Sequence, residues 1–103
     1  LRFKIKAEDF REYGEKVLAG LEEYAAARED WIIADDNREG IRVSFEDEQG
    51  WFLLRLSVHD PIMPLNLESM KQGGSKAIAK KLYGFLKGCG SLDLTAIEKY
   101  IAG

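Results

Sequence analysis

The chain has 103 residues, enough for one domain with its own core and too few for two. Apolar residues make up 46% and charged residues 32%, a balance typical of a globular domain rather than a disordered chain. The formal net charge is −3 and no long basic run offsets it, so we expect neither nucleic acid nor a membrane as partner. Cys89 is the only cysteine, which excludes an internal disulfide and a cysteine-based zinc site.

The first third of the chain predicts a strand followed by a long helix. Leu1, Phe3 and Ile5 alternate with basic residues, as in a half-buried strand, and we interpret a start in mid-strand as a segment of a longer protein. Apolar residues at helical spacing then predict a helix over about residues 8–28.

Short apolar stretches predict the remaining strands, at residues 31–34, 41–45, 51–55 and 65–68. The stretch 55–64 contains both prolines and predicts turns. A helix is expected from the glycine pair at 73–74 to Gly88, and the capping-box spacing of Thr95 and Glu98 predicts a short last helix. This order predicts a single α+β domain, residues 1–103, with a mostly antiparallel four- to five-stranded sheet and two main helices packed on one face.

Three features imitate functional sites. Residues 35–46 space oxygen-bearing side chains like a calcium-binding EF-hand loop, but their flanks predict strands where an EF-hand needs helices. Ser57, His59 and Asp60 are the residue types of a hydrolase triad, yet a triad normally draws its members from separate segments. Cys89 has no certain cation or helix N-terminus nearby to activate its thiol. We therefore expect no calcium site, no hydrolase and no reactive cysteine.

Residues 55–61 carry a stronger signal. Arg55 ends an apolar strand, and Ser57 and several backbone N–H groups follow in one turn. A forked guanidinium together with neutral donors is what a phosphate dianion requires. From the residues alone, a surface arginine paired with a carboxylate remains the alternative.

This part of the chain resembles a known enzyme family. The sequences GIRVSF (residues 40–45) and GWFLLRLSVHDP (residues 50–61) are similar to the strand, hairpin, strand and phosphate loop of the C-terminal domain of the α-D-phosphohexomutases, which include the bacterial phosphomannomutase/phosphoglucomutases. The resemblance covers most of residues 31–87, and the order, spacing and strand–turn context of its motifs agree.

The resemblance implies a four-domain cytoplasmic isomerase that interconverts hexose 1-phosphate and hexose 6-phosphate through a bisphosphate. Its C-terminal domain has a TATA-box-binding-protein-like fold and anchors the phosphate that does not react, next to the preceding domains of the same polypeptide. The phosphoserine and the Mg²⁺ ion would lie outside these 103 residues. We therefore expect the hexose phosphate substrate as ligand, with no catalytic residue, no metal ligand and no activity in this chain alone.

Carried over residue by residue, the expected phosphate ligands are Arg55, Ser57, Val58 and His59. Arg55 and Ser57 match the arginine and serine of the family loop, and Pro61 matches its closing proline. Val58 stands where the family has Gly or Asn and would offer its backbone N–H, while His59 stands in place of Thr. Asp60 replaces Glu or Gln and is not expected to bind phosphate. The alternative is a free-standing phosphate-binding or protein-interaction module on the same fold.

Overall fold

The computed structural model describes residues 1–35 and 40–103, which form one antiparallel sheet of five strands and three helices. In chain order the elements are β1 (Arg2–Lys4), α1 (Phe10–Ala26), β2 (Ile32–Ile33), β3 (Gly40–Phe45), β4 (Gly50–Arg55), β5 (Ile62–Ser69), α2 (Gly74–Leu86) and α3 (Thr95–Ala102). The strands lie in the order β1-β5-β4-β3-β2, and each neighbouring pair is antiparallel. The predicted α+β class is confirmed. None of the described helices combines the length and the apolar character needed to cross a membrane.

The sheet has one apolar face and one polar face, because side chains alternate along each strand. Phe52 and Leu54 of β4 are fully buried on the apolar face, and Val43 and Met63 are buried beside them on the neighbouring strands. Helix α1 packs on β2 and β3, α2 on β4 and β5, and α3 on β1. The opposite face carries polar, charged and half-buried side chains: Arg2, Lys4, Arg42, Trp51, Arg55 and Asn66.

An aromatic cluster joins the helices to the sheet. The Trp31 ring centroid lies 5.3 Å from that of Tyr24 on α1, 5.2 Å from that of Phe45 and 6.0 Å from that of Phe52. Tyr24 also lies 5.3 Å from Phe85 of α2, centroid to centroid. Such pairs contribute about 0.5–1.5 kcal/mol each beyond the area they bury. The cluster therefore fixes both long helices on the same face of the sheet.

Two glycines of the resembling motifs sit where neighbouring strands leave no room for a side chain. A Cβ atom on Gly40 would overlap the carbonyl oxygen of Leu54 and lie 2.9 Å from the Cα of Arg55. A Cβ atom on Gly50 would overlap the carbonyl oxygen of Glu68. These contacts are with backbone atoms, which no rotamer change can move, so glycine at each position follows from the pairing of the strands.

The predicted start of the last strand is wrong, whereas the predicted last helix is present with a different cap. Strand β5 begins at Ile62 and runs through Pro64, so the end of the predicted turn region is part of the sheet. Helix α3 does begin at Thr95, but Leu94 holds the N-cap position and the capping acceptor is Asp93. The Asp93 carboxylate accepts hydrogen bonds from the backbone N–H (3.0 Å) and the hydroxyl (2.6 Å) of Thr95. A local carboxylate competes with the capping box because it satisfies the same helix-end donors.

Candidate functional site

The polar face of the sheet contains a cleft above Pro64, in the row of residues where β4 ends. The β4–β5 pairing extends to Leu54 opposite Leu65, which places Arg55 opposite Pro64 in the next row. Proline has no N–H to donate to the Arg55 carbonyl, so the ladder is interrupted there. It resumes where the N–H of Ser57 donates to the Ile62 carbonyl at 3.0 Å.

On its other side, Pro64 lies opposite Arg2 of β1. The bonds to β1 are made by the next residue, since the Leu65 N–H donates to the Leu1 carbonyl at 2.7 Å and the Leu1 amino group donates back at 3.0 Å. Pro64 therefore costs the sheet no hydrogen bond on this side. Its short ring lines the cleft between Arg2 and Arg55.

The cleft encloses about 290 Å³, close to the lower end of the range for ligand pockets. We call it the Arg55 cleft; its polar lining consists of Arg2, Arg55, Ser57, Asp60 and Asn66. Asp60 supplies the one carboxylate among the described lining residues, against two guanidinium groups. The charged side chains of the cleft thus carry a net charge of one positive unit, which favours an anion.

Arg55 has an unsatisfied donor at this cleft. Its Nε atom is buried and has no hydrogen-bond partner among residues 1–35 and 40–103. Over the same residues, neither Arg55 nor Arg2 forms a side-chain ion pair. Buried polar atoms in folded proteins nearly always have a partner, so a partner that these residues do not supply is expected from outside them.

The loop between Arg55 and β5 is held by its own turn and by contacts with β5, with Ile5 and with α1. The Asp60 N–H donates to the Ser57 hydroxyl at 3.4 Å, and the Ile62 N–H donates to the Asp60 carbonyl at 2.7 Å across Pro61. The N–H of Ile5, just after β1, donates to the Pro61 carbonyl at 2.7 Å. From α1, Arg11 Nη2 donates to the Val58 carbonyl at 3.0 Å. The loop is therefore positioned by the fold rather than by its own turn alone.

The structure divides the four expected phosphate ligands into two pairs. Arg55 and Ser57 line the cleft, whereas Val58 and His59 are exposed on the loop and do not line it. The backbone N–H groups of Val58 and His59 have no acceptor in the described part of the chain. Gln49 is the one non-glycine residue described with a positive φ, so Val58 occupies its loop position without that strain.

Arg2, Asp60 and Asn66 are polar cleft residues that the sequence does not predict. Arg2 looks like an ordinary outward residue of an alternating strand, and only the pairing of β1 with β5 brings it near Arg55. Asp60 also faces the cleft, and its charge opposes a bound anion. The position of Asp60 within the loop could have indicated it as a cleft residue, but the direction of its side chain depends on the turn at Pro61.

The other candidate sites are not assembled. Within the described residues no hydrogen bond joins His59 to Ser57 or Asp60, so the three do not form a triad. The Cys89 thiol is half-buried and desolvation raises its pKa, the opposite of what a reactive thiol requires. The flanks of the calcium-like loop are strands β2 and β3, and its residues 36–39 lie outside the described residues.

Metal ligands are also not grouped in the part of the chain described: no cluster of three His, Cys, Asp or Glu side chains suits an ion. A comparison of the sequence with known protein families gives no match, and a comparison with curated proteins gives none either.

Proposed function

We propose that this chain is the substrate-phosphate-anchoring domain of a phosphomannomutase/phosphoglucomutase, a cytoplasmic isomerase of hexose phosphates. In this proposal the Arg55 cleft binds the phosphate that does not react, and other domains of the polypeptide supply the phosphoserine and the Mg²⁺ ion. The observation that carries the proposal is that Arg55 lines an anion-favouring cleft and has a buried Nε with no hydrogen-bond partner among residues 1–35 and 40–103.

The chemistry of the donors supports a phosphate as the ligand. The Nε and one Nη of an arginine form a planar fork that binds two oxygens of a phosphate at once. The Ser57 hydroxyl lies two residues further along and can donate to a third oxygen. The N–H groups of Val58 and His59, which have no acceptor among residues 1–35 and 40–103, lie on the adjoining loop.

The proposal is tested by an NMR titration of the ¹⁵N-labelled chain with glucose 1-phosphate. Water competes in an open cleft, so we expect a dissociation constant in the millimolar range, roughly −4 kcal/mol. Amide shifts should concentrate in residues 55–61. Glucose without phosphate should produce none at the same concentration.

Variants of Arg55 test whether this residue binds the phosphate. Arg55→Ala should weaken binding about tenfold or more, because charge-assisted hydrogen bonds contribute about 1.5–3 kcal/mol. Arg55→Lys should weaken it as well, since a point charge does not reproduce the fork. Arg42→Ala is the matched control, because Arg42 lies on the same face but stacks on Trp51, its guanidinium carbon 4.1 Å from the ring centroid.

Two results would count against the proposal. Unchanged affinity in Arg55→Ala, or shifts confined to residues far from the loop, would remove the anchoring site. Mutase turnover of glucose 1-phosphate by this chain alone would contradict the assignment of the reacting groups to other domains, because phosphoryl transfer needs a positioned nucleophile and charge stabilisation.

A further inference from the structure

We propose that Arg2 is a second anion-binding residue, and that Arg2 and Arg55 hold the same phosphate from opposite sides of Pro64. This inference rests on the proposed function, because it assumes that phosphate binds in the Arg55 cleft. It adds a ligand from β1, far from the phosphate loop in sequence.

The strand register places the two arginines in one row. Arg2 is opposite Pro64, and the β4–β5 pairing puts Arg55 opposite the same proline from the other side. Neighbouring strands lie about 4.8 Å apart, so the two Cα atoms are separated by two such spacings, about 10 Å. Residues directly opposite in a sheet point to the same face, and both side chains line the cleft. Only the short proline ring stands between them.

The charges of the two arginines favour the binding of an anion between them. Two guanidinium groups on one side of a protein repel each other unless a negative charge lies between them. Neither has an ion-pair partner among residues 1–35 and 40–103. Asp60 can offset one of the two charges, and a bound phosphate dianion would offset the remainder.

Lys4 provides a matched control on the same strand. It is exposed like Arg2 and lies on the same face two residues along, opposite Ile62. It does not line the cleft, and its charge acts on Asp93 instead. A general electrostatic attraction of phosphate to β1 would depend on both residues, whereas direct contact would depend on Arg2 alone.

The experiment titrates the wild-type chain and three variants with inorganic phosphate and with glucose 1-phosphate, following the side-chain Nε–H signals of arginine by NMR. In the wild type, the Nε–H signals of Arg2 and Arg55 should shift with the same midpoint. Arg2→Ala should weaken binding about fivefold or more, somewhat less than Arg55→Ala because Arg2 is more exposed, and Lys4→Ala by less than about twofold. Urea unfolding of each variant establishes that it is folded.

The outcomes separate this inference from the proposed function. If Arg55→Ala abolishes binding while Arg2→Ala binds like Lys4→Ala, the role of Arg2 is wrong and the anchoring function stands. The role of Arg2 is also wrong if its Nε–H signal does not shift during the titration while that of Arg55 does. If Arg55→Ala binds as well as the wild type, the proposed function fails and the inference fails with it.

Discussion

Gly40 connects the register of the sheet to the position of Arg55, so Gly40→Ala tests both. The added Cβ would overlap the Leu54 carbonyl oxygen and lie 2.9 Å from the Arg55 Cα, and both are backbone atoms. Relief therefore requires the end of β4 to move away from β3. The substitution should destabilise the fold and displace the arginine at the same time.

The expected change in the free energy of unfolding of Gly40→Ala follows from two opposing effects. Forcing a methyl group into a filled space costs about 1–3 kcal/mol. Replacing glycine with alanine also reduces the entropy of the unfolded chain, which recovers up to about 1 kcal/mol. We expect a net loss of about 1–2 kcal/mol in the free energy of unfolding, or a Tm lower by about 5–10 °C for a domain of this size.

Gly90→Ala is the matched control, because no atom lies within 4 Å of the Cβ it would add and Gly73 is the one described glycine with positive φ. It should be neutral or stabilising by about 0.5 kcal/mol. Urea unfolding measures both variants, and phosphate titration at a temperature where both are folded should show weaker binding only for Gly40→Ala. Equal urea midpoints for the two variants would refute the pairing of Gly40 with Arg55.

Three further predictions concern individual titratable groups. Asp60→Asn should strengthen phosphate binding about twofold or more, since Asp60 lines the same cleft and two like unit charges about 4 Å apart in water repel by about 1 kcal/mol; weaker binding in the titration would contradict this. Hydrogen bonds from Thr95 lower the pKa of Asp93. Its stabilisation of α3 should therefore be complete above the ordinary pKa of aspartate and disappear as pH falls through the lowered value, and hydrogen exchange of α3 in wild type and Asp93→Asn measures it. Burial raises the pKa of Cys89, so its alkylation rate should still be rising with pH where that of free cysteine has levelled off; an earlier plateau would show the thiol to be activated.

The strands around the candidate site could be predicted because their signals are local. Residues 41–45 alternate with period two, residues 51–54 are an apolar run, and the polar turn between them is typical of a hairpin. Arg55 and Ser57 follow directly from that hairpin, at its end and just beyond it. The glycines at its two strand starts are explained by the backbone contacts described above.

Pro64 and Arg2 could not be interpreted correctly from sequence because their roles depend on neighbours distant in the chain. A proline normally argues against a central strand, since it removes a ladder donor. Here Leu65 makes the bonds to β1, so only the bond toward Arg55 is lost. Nothing in residues 1–5 indicates that β1 will pair with β5, and the position of Arg2 beside the cleft follows from that pairing alone.

The placement of β1 at the edge of the sheet has a consequence for the order of folding. Strands β3, β4 and β5 are joined by short connections. In contrast, β1 pairs with residues 62–64 and Ile5 pairs with Leu92, both far away in the sequence. Closing such long loops is slow, so the three-stranded meander can form before β1 docks. The cleft would then gain Arg2 only in the last step, and a ligand held by both arginines would favour the docked state. Protection of the β1 amides would consequently depend on ligand concentration.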